Sequence, residues 1–366
     1  MLRFGVLLLL LAQPARCSAC PPGCACSEAA QTVKCVSKEL RFVPAGIPAY
    51  TRNLFITGNR ISRLGPGSFA GLDNVTTLSL SNNRISEVAS HTFSSLHNLR
   101  SLDLSSNQLA LIHPEAFAVP GLMLKELNLS RALYNHSSVM DLATSLRWSG
   151  LEGLQSLDLS GNGLIYLPPR IFSHLSGLRR LQLANNSIVS IYNETFSGLG
   201  QLEELDLSLN ALKIFGDEGL AELEHVPGAK LHLGDNPYMC TCGIEPFTAW
   251  LNASRVRVVD VERLVCLFPV ELRNTSLLAA GSLVLGCHRT GEGDNLALQT
   301  SYVFLGIVLG FVGLMFLFVL YLNRKGIKKR VYDMRDACRE VWEGYHYRYE
   351  IDSDPRLSQV STTADV

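Results

Sequence analysis

Charge is scarce in this chain of 366 residues: Asp, Glu, Lys and Arg together make up 18%, below the usual quarter. The formal net charge is −1, so nothing recommends nucleic acid or an acidic substrate as a partner. Catalytic signatures are missing as well. There is no G-x-S-x-G, no H-E-x-x-H, no P-loop and no G-x-G-x-x-G, which leaves hydrolase, metalloprotease and nucleotide-binding readings without support. The nine histidines are scattered. The sequence therefore predicts no enzyme, no cofactor and no catalytic metal.

What the chain has in abundance is one phrase. Leu54-Phe55-Ile56-Thr57-Gly58-Asn59 returns as Leu78-Ser79-Leu80-Ser81-Asn82-Asn83 and as Leu102-Asp103-Leu104-Ser105-Ser106-Asn107. It returns again from Leu157, Leu181, Leu205 and Leu231 to Asn162, Asn186, Asn210 and Asn236, with a step of 24 residues where the pattern is regular. A period of this length carrying L-x-L-x-x-N is the leucine-rich repeat signature. L-x-L alternates at period two, so each repeat supplies one short strand with two leucines turned inward. No repeat buries its leucines alone, and stacking builds one continuous core. The fold class expected is an α/β solenoid, a horseshoe with a parallel sheet on its concave face. The Asn turns inward to satisfy backbone groups that would otherwise be buried unpaired. A second apolar row, Phe69, Phe93, Phe117, Phe172 and Phe196, with Leu220 next, marks the convex side. All of these read as core.

The repeats occupy residues 51–236, about eight in number, and the fourth is irregular. Ala132 stands where Asn is expected, and the next strand arrives only at Leu154. The extra segment from Arg131 to Ser149 reads as a surface loop, and such insertions often serve binding. Residues 1–19 read as a secretory signal: Arg3, an apolar run from Val6 to Ala12, and small residues ending at Ala19. Four cysteines follow within residues 20–50, Cys20, Cys24, Cys26 and Cys35. In a secreted chain they imply two disulfides rather than a metal site, and spacing leaves three connectivities open. A second block, Cys240, Cys242, Cys266 and Cys287, falls in residues 237–288. Short caps of this kind close the open ends of a solenoid and need staples to hold.

A polar stem, 289–301, leads to the uncharged segment 302–322, long enough to cross a bilayer. Arg324, Lys325, Lys328, Lys329 and Arg330 follow, which places the tail 323–366 in the cytoplasm and the repeats outside. The expected location is the plasma membrane, single-pass type I. Gly306 and Gly310 form a G-x-x-x-G that permits homodimerisation of the span, and Cys338 is a candidate for palmitoylation. Seven N-x-S/T sequons, at Asn74, Asn128, Asn135, Asn185, Asn193, Asn252 and Asn274, all lie on the extracellular side. Asn128 sits between Leu127 and Leu129, so a glycan there would stand on the concave face. Asn185 directly precedes the ladder residue Asn186, which predicts poor access.

Several passages make the reading more specific. Leu298-Gln299-Thr300-Ser301-Tyr302-Val303-Phe304, Gly344-Tyr345-His346-Tyr347-Arg348-Tyr349-Glu350-Ile351, Asp354-Pro355-Arg356-Leu357 and Pro48-Ala49-Tyr50-Thr51-Arg52-Asn53-Leu54-Phe55 closely resemble the trophoblast glycoprotein family, also called Wnt-activated inhibitory factors. The resemblance implies a cell-surface glycoprotein that dampens Wnt/β-catenin signalling at the Wnt co-receptor and influences migration. It implies pairings Cys20–Cys26, Cys24–Cys35, Cys240–Cys266 and Cys242–Cys287. It ties Lys34 and the C-cap aromatic, here Phe268 where the family has Tyr, to inhibition. The family ends in Ser-Asp-Val, a PDZ-binding terminus. Here the end is Ala364-Asp365-Val366, so Val366 and its carboxylate remain for a cytoplasmic PDZ partner while the hydroxyl is missing.

The outward strand positions Ser79, Ser81, Ser101, Asp103, Ser156 and Asp158 read as a solvated face. The N-terminal end differs. Alternation points Phe55 outward, with Tyr50 and Lys34 near it in sequence or in the cap, a composition suited to partner binding. The competing reading packs Phe55 against the cap. An alternative function is a cell-adhesion or synapse-organising repeat protein that binds another cell-surface protein.

Overall fold

The computed structural model describes residues 20–117, 124–282, 293–330, 332–335 and 339. The expected signal, Cys287, Cys338 and the end of the tail with Ala364 and Val366 lie outside the described residues. The chain divides into two units, Met1–Gly286 and Cys287–Val366.

The first unit is the solenoid. Among the described residues its main sheet has eleven strands. They are β1 (Ala25–Ser27), β2 (Thr32–Val36), β3 (Asn53–Thr57), β4 (Thr77–Ser79), β5 (Ser101–Asp103), β6 (Glu126–Asn128), β7 (Ser156–Asp158), β8 (Arg180–Gln182), β9 (Glu204–Asp206), β10 (Lys230–His232) and β11 (Arg257–Val258). β1 pairs antiparallel with β2, and every later neighbour is parallel. The leucines keep one register: Leu54, Leu78, Leu102, Leu127, Leu157, Leu181, Leu205 and Leu231 stand opposite one another and are buried. The N-terminal cap is not merely a lid. Its strand β2 extends the repeat sheet, with Val33 beside Leu54 and Cys35 beside Ile56.

Each repeat leaves its strand through a residue with left-handed backbone just before the ladder position. Gly58, Asn82, Ser106, Arg131, Gly161, Asn185, Leu209 and Asp235 all have φ between 52° and 70°. The turn then presents the Asn side chain to the core. Asn83 donates from Nδ2 to the carbonyls of Ile56 (2.6 Å) and Leu80 (2.7 Å), and its Oδ1 accepts from the Asn59 N–H (3.0 Å). Asn107, Asn162, Asn186, Asn210 and Asn236 repeat the arrangement. At the irregular repeat, Arg131 keeps the left-handed turn and the carbonyl of Ala132 accepts the Leu109 N–H at 2.7 Å. Asn162 reaches across thirty positions to accept from the Ala132 N–H at 2.8 Å.

On the convex side Phe69, Phe93, Phe117, Phe172 and Phe196 are buried, and the first three stack with centroids 5.7 Å apart. The segment expected as a loop contains a helix, α1 (His136–Trp148), packed on the Leu111–Ile112 strand. Asn135 caps it, its Oδ1 accepting from the Ser137 and Ser138 N–H groups. Val139, Leu142 and Leu146 fall on one helical face and are buried. The loop expectation failed because this face substitutes for the core residues of an ordinary convex segment. The strand after it is β7 at Ser156–Asp158, two residues beyond the expected Leu154, which is buried ahead of it.

A short helix, α2 (Asp217–Glu224), brings a carboxylate into the interior. Glu222 is 1% exposed and accepts from the Glu194 N–H (2.7 Å) and the Phe196 N–H (3.1 Å). In the C-terminal cap, Tyr238 packs against Phe215 and Phe247, with its hydroxyl donating to the Leu233 carbonyl at 2.8 Å. Burial pushes the Tyr238 hydroxyl pKa well above its ordinary value, helped by the nearby Asp260 carboxylate. Disulfides join Cys20 to Cys26, Cys24 to Cys35 and Cys240 to Cys266. Cys242 is also disulfide-bonded.

Among the described residues the second unit contains a long helix, Gly293–Leu322, which starts inside the expected stem. Its stretch Leu305–Leu322 is apolar, exposed and long enough to cross a membrane. Tyr321 lies at the end of that stretch with the Arg324 guanidinium 4.7 Å from its ring centre.

Candidate interaction surface

Parallel sheets are usually covered on both faces, yet the concave side of this one is open. Stacked leucines fill the inner side, and the outer side carries two registered rows. One row reads Asn53, Thr77, Ser101, Glu126, Ser156, Arg180, Glu204 and Lys230, and the other Phe55, Ser79, Asp103, Asn128, Asp158, Gln182, Asp206 and His232.

The middle of this face is polar and largely self-satisfied. Asp103, Asp158 and Asp206 turn back, each Oδ1 accepting the N–H two residues on, from Ser105 (2.9 Å), Ser160 (2.8 Å) and Ser208 (2.9 Å). Ser79 donates to Asp103 at 2.7 Å. These groups already have partners, so the aspartates are turn-formers first. Toward the C-terminal end, Arg180 pairs with Glu204 at 3.0 Å and Arg179 with Glu203 at 2.7 Å. Exposed pairs of this kind contribute roughly 0–1 kcal/mol.

The N-terminal end is different in kind. β2 and β3 are parallel and place Lys34 directly opposite Phe55. The Lys34 ammonium lies 5.7 Å from the ring centre, within cation–π range. Lys34 is exposed and Phe55 half-exposed, and among the described residues no carboxylate pairs with Lys34. Val36, two residues on along the same face of β2, is 46% exposed. The patch is thus a cation, an aromatic ring and a branched aliphatic side by side. Sequence reasoning passed over Val36, although the alternation Thr32-Val33-Lys34-Cys35-Val36 marks it as outward.

The other nominated residues do not join this patch. Tyr50 lies in the turn before β3, half-buried, with no hydrogen bond or ring contact to Lys34 or Phe55 among the described residues. Phe268 is 46% exposed in the C-terminal cap, on a strand (Cys266–Phe268) that pairs with Tyr238–Met239 rather than with the main sheet. From β3 to β11 the sheet takes eight steps, a contour of about 38 Å at roughly 4.8 Å per strand. Phe268 thus lies outside the sheet that carries the patch, two residues before Val270, which is 71% exposed.

The sequons are spread over the solenoid. Asn74, Asn135, Asn193, Asn252 and Asn274 are exposed, and Asn128 is half-buried on β6. Asn185 is exposed, contrary to the expected poor access, because its left-handed turn (φ 55°) swings it outward while Asn186 points in.

Open on one face and capped at its N-terminal end by disulfides, the first unit is a leucine-rich repeat scaffold of the protein-binding type. The leucine-rich repeat family model matches residues 50–109, 73–133 and 152–212. The chain belongs to the trophoblast glycoprotein family. It is 48% identical to human trophoblast glycoprotein across 97% of its own length and 87% of that protein. The rat relative is 46% identical over the same share of this chain and 88% of its own. The crystal structure of human trophoblast glycoprotein (Wnt-activated inhibitory factor 1) superposes with a TM-score of 0.65 at 39% identity, covering 72% of this chain and 96% of that one. This is a cell-surface leucine-rich repeat protein.

Proposed function

We propose that this protein inhibits Wnt/β-catenin signalling at the level of the Wnt co-receptor, by binding a cell-surface protein through its repeat ectodomain. The observation that carries the reading is the Lys34–Phe55 pair. It is the one cation stacked on an outward aromatic along the described sheet, and it stands on the second and third strands, near the N-terminal end. Aromatic and cationic side chains of this kind supply the anchors of protein interfaces. A related structure that bears the name Wnt-activated inhibitory factor 1 supports the direction of the effect.

In this reading the helix Leu305–Leu322 crosses the plasma membrane once, and the basic cluster after it stays in the cytoplasm. The domain limits are 1–19 for the signal, 20–50 and 237–288 for the caps, 51–236 for the repeats, 289–301 for the stem, 302–322 for the span and 323–366 for the tail. Cys242–Cys287 completes the C-terminal cap. A Wnt reporter in cells with and without the protein tests the reading. Lower reporter output with the protein present supports it. Equal output, together with clustering of beads coated with the ectodomain, supports adhesion instead.

A further inference from the structure

The strand phrase of this solenoid is L-x-L-S in five repeats, at Ser81, Ser105, Ser130, Ser160 and Ser208. An Asn at the intervening position completes a sequon, and only Asn128 supplies it. Its Oδ1 accepts from the Ser130 N–H (2.9 Å) and the Ser130 hydroxyl (2.7 Å), the same turn that Asp103 and Asp158 make. The carbonyl end is therefore fixed to the backbone, and Nδ2 donates to nothing among the described residues. In register, Asn128 stands between Asp103 and Asp158, three strands from Phe55 and about 14 Å along the sheet.

We infer that Asn128 carries an N-linked glycan that closes the middle of the concave sheet, so that the partner surface stops short of β6. The inference rests on the N-terminal end being the contact, as proposed above. The bond comes from transfer of a lipid-linked oligosaccharide diphosphate in the secretory lumen. The Nδ2–C1 bond forms, the C1–O phosphate bond breaks, the lipid diphosphate leaves with the electron pair, and Nδ2 gives up one proton. The product is a bulky hydrated chain rooted where the sheet curves inward.

The test uses the full-length protein from mammalian cells. Glycopeptide mass spectrometry, before and after enzymatic deglycosylation, reads Asn128 directly, and an unmodified Asn128 overturns the inference. Asp158→Asn and Ser79→Asn each complete a sequon with the Leu and Ser already present, and Asp158→Asn retains the oxygen that accepts the Ser160 N–H. With occupancy of the added site verified, the Asp158→Asn glycan leaves Wnt inhibition within about twofold, because that ground is already covered. The Ser79→Asn glycan, beside Phe55, lowers inhibition about tenfold or more. Loss of inhibition with the Asp158→Asn glycan overturns the closure. Full inhibition by both Ser79→Asn and Lys34→Ala overturns the reading of the N-terminal end instead, while the Asn128 peptide and the Asp158→Asn arm still decide the closure.

Discussion

The Lys34 ammonium sits 5.7 Å from the centre of the Phe55 ring, across the junction between the N-terminal cap and the first repeat. The contact joins a cap strand to a repeat strand on the open face. Cation–π contacts at exposed sites contribute about 0.5–1 kcal/mol, too little to hold the solenoid together. Its importance is positional: the ammonium lies over the ring on the open face, with Lys34 exposed and Phe55 half-exposed. Either residue is therefore replaceable without unfolding the protein, which makes the surface testable.

The Asn ladder is the first target for stability. Asn83 is fully buried, and its amide satisfies backbone groups of two turns. Asn83→Ala leaves them unpaired and lowers stability by roughly 1–3 kcal/mol. Ser101→Ala, on the solvated side of β5, stays within about 0.5 kcal/mol. Thermal or denaturant melts of the two variants check this, and equal midpoints would remove the ladder from its role.

Leu209 offers the opposite effect. It holds a left-handed backbone, φ 55°, while its side chain is 48% exposed. That conformation costs an L-residue roughly 1–2 kcal/mol. Equivalent turns use Gly58, Asn82, Gly161 and Asn185. Leu209→Asn raises stability by about 1 kcal/mol, seen as a higher melting temperature. An unchanged or lower value would contradict the strain.

How far the sequence spoke for itself varies by element. Leu54 to Asn236 declared strand, turn and ladder because each repeat imposes the same local demands. The α1 helix was legible in principle: Asn135 is a cap, and Val139, Leu142 and Leu146 have helical spacing. The regular repeats on either side hide it, because a break in a 24-residue pattern has the look of a loop insertion. The Lys34–Phe55 pairing was only half legible. Alternation turned each side chain outward, but the opposition of the two depends on the cap strand joining the sheet in parallel register, which no local pattern records. Glu222 was invisible for the same reason, since its partners at Glu194 and Phe196 are a full repeat away.

Tyr238 sets an alkaline limit. Its pKa is raised in the folded state, first by burial and then by Asp260, whereas the unfolded side chain ionises near pH 10. Below about pH 10 both states hold the proton and the group adds no slope. Above it the unfolded state releases the proton first, so stability falls as pH rises. Tyr238→Phe abolishes this slope and costs about 1 kcal/mol through the lost hydrogen bond to Leu233. The melting gap between wild type and variant narrows above about pH 10; a constant gap would contradict the shift.

The proposed orientation in the membrane rests on the basic cluster at Arg324, Lys325, Lys328, Lys329 and Arg330. An epitope fused after Val366 stays protected when protease is added outside intact cells, while an ectodomain epitope is cleaved. Neutral residues at all five positions weaken that protection. Cleavage of the C-terminal epitope in wild-type cells would reverse the topology.

The most direct measurement compares Wnt-reporter inhibition by Lys34→Ala, Phe55→Ala and Ser101→Ala at matched surface levels. Lys34→Ala and Phe55→Ala each lose about tenfold in potency, as expected for anchors that contribute roughly 1–2 kcal/mol to binding, and Ser101→Ala inhibits like wild type. Full inhibition by both Lys34→Ala and Phe55→Ala would place the contact surface elsewhere on the molecule.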